Sequence, residues 1–167
     1  MKLIKRFYQS LKSSIKSKIF KDVYKKIDEQ KFLESNIFFQ NRSKSYKLTK
    51  NLDDVDFKVF SQNGEDGILD FIINQMNIKL PKFVEIGVGD FSECNTRFIY
   101  KKNYSSGLII DVIKNFSYKV SLVEDIWRGG LVVLEKRVNA SNINKILRDQ
   151  NFNTDIDIFS IDIDGID

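Results

Sequence analysis

The sequence predicts an α/β protein, with a parallel sheet covered by helices on both faces and a long helical extension in front. Three observations predict it. From residue 57 onward, short apolar runs alternate with amphipathic stretches of helix length, as in parallel strands joined by crossover helices. One run, Phe83-Val84-Glu85-Ile86-Gly87-Val88-Gly89-Asp90-Phe91, carries an acid and two spaced glycines at its end, which reads as a buried strand breaking into a tight turn. Ahead of both, apolar residues recur every three to four positions among lysines, the period of an amphipathic helix.

The extension covers residues 1–34. Leu3, Ile4, Phe7, Leu11, Ile15, Ile19, Val23 and Ile27 form its apolar stripe, with Lys2, Lys5, Arg6, Lys12, Lys16, Lys18, Lys21, Lys25 and Lys26 between them. A break is expected near Ser13-Ser14. Such a helix packs its stripe on the domain or on a second copy, or lies on an anionic membrane surface, a contact assigned to residues 1–30. Residues 35–56 are polar and mixed and read as a linker, and the domain proper is 57–167.

Within the domain, Ile68, Leu69, Ile72, Ile73 and Met76 predict the buried face of a helix. Asn63 or Ser61 is its expected cap, and Glu65 and Asp66 suit the positive end of its dipole. Pro81 precedes the first strand, where it removes no ladder bond. Strands are predicted at 83–88, 107–111, 131–134 (running on toward Val138) and 156–163. Helices are predicted at 93–102, at 114–127 before Gly129-Gly130, and at 142–149 behind a Ser141 cap.

Composition narrows the chemistry. The chain has 167 residues, 42% apolar and 13% aromatic, enough for one domain with a core and an extension. No apolar run reaches membrane-spanning length. The N-terminus lacks the apolar stretch and cleavage site of a secretory signal. Cys94 is the only cysteine, so no internal disulfide forms, which suits a reducing cytoplasm. There is no histidine, which excludes Ser-His-Asp and Cys-His catalysis and His-ligated zinc. Acid–base work falls to Asp, Glu, Lys or Tyr. Residues 1–60 hold 15 Lys+Arg against 7 Asp+Glu, while residues 61–167 hold 12 against 16. The basic character therefore belongs to the front of the chain. A basic segment without interleaved aromatic platforms, set against an acidic ligand end of the sheet, gives no expectation of nucleic-acid binding.

Two glycine patterns compete at Glu85-x-Gly87-x-Gly89. A dinucleotide fold uses Gly-x-Gly-x-x-Gly with an acid about twenty residues on for the ribose. Here Ser92 takes the sixth position, and Asp111 ends the next strand. An acid two positions ahead of the first glycine belongs instead to the S-adenosylmethionine pattern. Each residue also has a plainer account, in which the glycines serve only the turn, Asp111 only a helix cap, and Asn95 with Arg97 only a helix surface. Cys94 and Trp127 read most simply as packing residues.

With these motifs the chain resembles the class I S-adenosylmethionine-dependent methyltransferases, and among them the FkbM-type group, often found near genes for sugar and surface-polysaccharide modification. The resemblance runs through Ser61-Gln62-Asn63-Gly64-Glu65-Asp66-Gly67-Ile68, residues 83–90, Glu93-Cys94-Asn95-Thr96-Arg97, Gly107-Leu108-Ile109-Ile110-Asp111 and Ile158-Phe159-Ser160-Ile161-Asp162-Ile163-Asp164-Gly165. It implies S-adenosylmethionine as cofactor and O-methylation of a sugar or polysaccharide-type acceptor. It implies that Gly87 and Gly89 admit the methionine part and that Glu85 bonds its amine, directly or through water. Asp111 takes the ribose hydroxyls, Asn139 and Ala140 flank the adenine, and Gln62 and Glu65 close the pocket. Asp162 or Asp164 is the implied base for an in-line displacement. Phe91 stands where the family's loop commonly has a third glycine.

The same resemblance implies a Rossmann-like methyltransferase sheet in the order 3-2-1-4, with strands 5–7 falling beyond Asp167. The fourth strand, with Ile156, Ile158, Ile161 and Ile163, is then an expected open edge that can recruit a second copy. Activity is expected only if the missing strands are supplied. The alternatives are a nicotinamide-dependent oxidoreductase and a non-catalytic domain tethered to membrane or partner. Asp162 and Asp164 also share one side of a strand and resemble the cation-binding DxD pair of many glycosyltransferases. The glycine turn has no part in that chemistry, and no metal is expected.

Overall fold

The computed structural model describes residues 2–42, 46, 49–126 and 129–163; within the first helix, the side chains described are 18, 19 and 22–41. Four short strands, β1 (Lys82–Ile86), β2 (Ser106–Asp111), β3 (Leu131–Glu135) and β4 (Ile158–Ile161), form one parallel sheet in the order β3-β2-β1-β4. Val84 of β1 stands opposite Leu108 of β2 and Phe159 of β4. The crossovers are α3 (Arg97–Asn103), α4 (Phe116–Val123) and α5 (Ile143–Asp149). The architecture is α/β and Rossmann-like in character.

Alternation along the strands divides the core in two. Phe83, Ile109 and Leu131 face α3 and α4, where Tyr100, Phe116 and Val120 pack on them. Val84, Ile86, Leu108 and Ile110 face the other way, against Ile146 of α5 and Phe152. Helices therefore cover both faces, and β1 and β2 lie at the centre with both sides buried. All the strand carboxyl ends point to one edge, so the loops after them share a single rim.

The helix α1 (Lys2–Arg42) is continuous. It has no break at Ser13-Ser14, and it runs through residues 35–42, which the sequence assigned to a linker. Three residues of the same 35–56 stretch belong to the core: Phe39, Tyr46 and Val55 are buried with Val59, Phe60 and Phe98. The docking face of α1 also differs from the predicted stripe. Lys25 pairs with Asp125 at 2.8 Å and Asp28 with Arg97. Phe32 and Phe39 meet Phe98 with ring centroids 6.1 and 4.9 Å apart. With buried Ser35, these positions repeat at intervals of three and four, one helical seam. Ile19, Val23 and Ile27 of the predicted stripe are exposed. The seam is half polar, and complementary charges on the domain satisfy it.

The helix α2 (Glu65–Gln75) has Gly64, not Asn63 or Ser61, at its cap position, while the Ser61 hydroxyl accepts the first-turn N–H of Asp66 at 3.1 Å. Its buried face is Asp66, Gly67, Asp70 and Ile73, while Ile72 and Met76 lie exposed. Polar residues win this face because the surrounding chain supplies their donors. One oxygen of Asp66 accepts the backbone N–H groups of Val59, Phe60 and Ser61 at 2.7, 2.6 and 2.8 Å. Asp70 accepts from the Tyr46 hydroxyl at 2.9 Å and from Lys102. The turn into α5 is held by Asn139, whose side-chain oxygen accepts from the backbone N–H groups of Ser141 and Asn142, both at 3.0 Å. Asn142, not Ser141, sits at the cap position. Trp127 lies outside the described residues.

Candidate functional site

A cleft of about 1060 Å³ opens along the rim formed by the strand carboxyl ends, the place where open α/β sheets bind ligands. The turn after β1 forms its centre. Gly87 has φ +86°, and a Cβ on it would lie 1.9 Å from the carbonyl oxygen of Asp162. Its first duty is therefore to let β1 pass close to the end of β4. Gly89, at φ +61°, has no atom within 4 Å of where a Cβ would stand. Bare main chain faces open space there, as a close-lying ligand requires. Phe91 adopts φ +68° with its side chain fully buried. The chain thus takes the left-handed turn even without the third glycine, and burial of the ring offsets the strain.

Asp111 stands at the end of β2, on the cleft wall. One carboxylate oxygen accepts the N–H of Gly89 at 2.9 Å and the other that of Ile113 at 2.9 Å. These bonds fix its orientation and tie the glycine turn to β2. A carboxylate offers about four acceptor positions, so each oxygen retains one for a ligand hydroxyl. The helix that follows has Asn115 at its cap position, and its first N–H, that of Phe116, is accepted by Glu135 at 3.3 Å, so capping does not account for Asp111.

Gln62, Gly87, Gly89, Asp111, Asn139, Ala140 and Asp162 all line this one cleft. Ile86, Ile110, Val138 and Ile143 supply apolar wall between them. Glu85 is not among the lining residues. It is fully buried beneath the turn, accepting from the N–H of Asn95 at 3.0 Å and from the N–H and hydroxyl of Thr96. The expected contact with a ligand amine is therefore replaced by a brace on the loop ahead of α3. Asp164 lies outside the described residues. Among those described, no group of three or more potential metal ligands occurs.

Two features of the cleft escaped the sequence. Lys136 and Arg137 line it just after β3, and the signal for them was their place at a strand's carboxyl end. Asp66 pins the Val59–Ser61 turn that precedes Gln62. Its signal was weaker, since an acid in the first helical turn reads as a dipole partner. Cys94 is buried, and burial, followed by the nearby Glu85 charge, pushes its thiol well above the usual range, as expected of an unreactive core cysteine.

Burial pushes the Glu85 carboxyl above its ordinary 4.5, the Thr96 and Asn95 hydrogen bonds pull it back, and the Asp162 charge pushes it up again. The folded chain thus holds this proton more tightly than the unfolded chain. The stability that Glu85 contributes is full below its ordinary 4.5 and declines as pH rises through the folded value. Glu85→Gln has no such group. In urea unfolding, the stability of the wild type relative to Glu85→Gln should fall as pH rises above the ordinary 4.5. A difference that stays level or grows would contradict the assignment.

Comparison with known proteins yields no match: no protein-family model, no curated protein and no solved structure corresponds to this chain.

Proposed function

We propose that the cleft binds S-adenosylmethionine and that the chain is a methyltransferase, or the cofactor-binding part of one, acting on an oxygen of a sugar-like acceptor. The observation that carries this is convergence. Six of the seven residues implied for one cofactor, from Gln62 to Ala140, line a single cleft around an unobstructed Gly89, together with the implied base Asp162. The residues fit the group chemically. Gly89 offers main chain without a side chain, Asp111 offers oriented acceptors for a diol, and Val138 and Ile143 offer apolar surface for a base.

The nicotinamide alternative fits less well. A dinucleotide site sets the pyrophosphate at the N-terminus of a helix that opens from the glycine turn. Here α3 begins only at Arg97, after a loop braced by Glu85. No helix N-terminus meets the glycines.

When bound, S-adenosylmethionine supplies an activated methyl group. Asp111 holds and orients the nucleoside end. Asp162 is exposed and lines the same cleft, which supports it as the group that takes the proton from an acceptor hydroxyl. The compartment follows from the same proposal: an intracellular cofactor implies a cytoplasmic protein.

Calorimetry of the chain with S-adenosylhomocysteine and with NADH tests the assignment. One-site binding of the first and none of the second is expected, and Asp111→Ala should weaken that binding at least about tenfold. Binding of NADH alone would overturn it. Where methyl transfer to a sugar hydroxyl is measured, Asp162→Asn should lower turnover by about a hundredfold or more and leave cofactor affinity unchanged. Undiminished turnover removes Asp162 as the base.

A further inference from the structure

The seam that fastens α1 to the domain leaves a second face of the helix without a partner among the described residues. Ile19, Val23 and Ile27 are 58%, 48% and 46% exposed, and Leu33 and Ile37 are more exposed still. At 100° per residue, Ile19, Val23, Leu33 and Ile37 fall on the side opposite Asp28, Phe32 and Phe39. The helix is 41 residues long, about 60 Å, and among the described side chains its fastening contacts with the domain run from Lys25 through Asp28 and Phe32 to Phe38 and Phe39. More than half of it therefore precedes the seam. Its first 20 residues carry cations only: Lys2, Lys5, Arg6, Lys12, Lys16, Lys18 and Lys21 come before the first acid, Asp22.

We propose that α1 is a peripheral membrane anchor that lays its outer apolar face and its cationic first half on an anionic lipid surface. Charge selects this occupant over a second copy. Two such helices in contact would bring their lysine-rich halves together in a parallel pair, and in an antiparallel pair would set each against residues 22–42, whose four acids are already matched by four cations. An anionic bilayer takes both features at once, apolar side chains into the acyl boundary and lysines onto the headgroups. No helix among the described residues is long and apolar enough to cross a membrane, so the contact is one of lying on the surface. This inference does not depend on what the cleft binds.

Flotation of the full chain with vesicles of phosphatidylcholine alone, or containing about 30% phosphatidylglycerol, tests it. Binding to the anionic vesicles only is expected, with most of it lost when salt is raised from about 0.1 M to about 1 M. Lys18→Glu with Lys21→Glu should reduce binding at least about tenfold, and Ile19→Ser with Val23→Ser should reduce it as well. These substitutions lie ahead of the seam, so unchanged thermal unfolding serves as the folding control. Equal binding to both vesicle types, or to neither, overturns the proposal. So does a dimer in sedimentation equilibrium that the Ile19→Ser and Val23→Ser substitutions dissociate, since the face would then belong to a second copy.

Discussion

Arg97→Ala is expected to destabilise the fold by about 3–5 kcal/mol and to release α1 from the domain. The Arg97 side chain is fully buried. Its guanidinium bonds Asp28 of α1, the carbonyl of Val123 at 2.9 Å and the carbonyl of Ser92 at 3.1 Å. It stands 3.5 Å from Glu124 and packs over the Phe60 ring at 4.3 Å. Removing it leaves two largely buried carboxylates short of a partner and a cavity where the side chain lay. Breaking one side of a buried ion pair is far more harmful than the pair is helpful, and the loss is a large share of a typical domain's stability of about 5–15 kcal/mol. Thermal unfolding should show a large drop, and limited proteolysis should cut within α1 before the domain. Arg97→Lys keeps the charge without the planar fork and should fall between the two. A melting temperature unchanged in Arg97→Ala would show that the network is not what holds α1.

Gly87→Ala should be nearly as damaging, for a different reason. The new methyl group would stand 1.9 Å from the Asp162 carbonyl oxygen and 2.7 Å from its carbon. Both are backbone atoms at the end of β4, so no side chain can swing aside. The residue would also hold φ +86°, which a Cβ disfavours. Together these are expected to destabilise by about 3 kcal/mol or more, chiefly by parting β4 from β1. Gly89→Ala is the matched control, since its Cβ would enter open space and only the left-handed backbone resists it. If both variants unfold at the same urea concentration, the close crossing at residue 87 is not the cause.

The sheet was readable because its signals are local. Phe83–Ile86, Leu108–Ile110 and Leu131–Leu134 are apolar runs that allow little but a buried strand, and the intervals between them impose parallel crossovers. The cleft was readable for the same reason, since Gly89, Asp111 and Asn139 each follow a strand that could be recognised. The illegible parts depend on partners far along the chain. Lys25, Asp28 and Ser35 look like a solvent face until Asp125 and Arg97 are known to meet two of them. Arg97 looks like a helix-surface residue until Glu124 and Phe60 enclose it. Glu85 shows the same limit within the site: its type and position suggested a ligand contact, but the unpaired N–H groups of Asn95 and Thr96 claim its carboxylate.

Phe91 has a kinetic consequence. Its ring is sunk in the core edge-on to Tyr100, with centroids 6.3 Å apart, while its backbone belongs to the turn that floors the cleft. Raising that floor would drag a phenyl group out into water, at a cost of about 2 kcal/mol or more. The turn is therefore a stationary wall and not a flap.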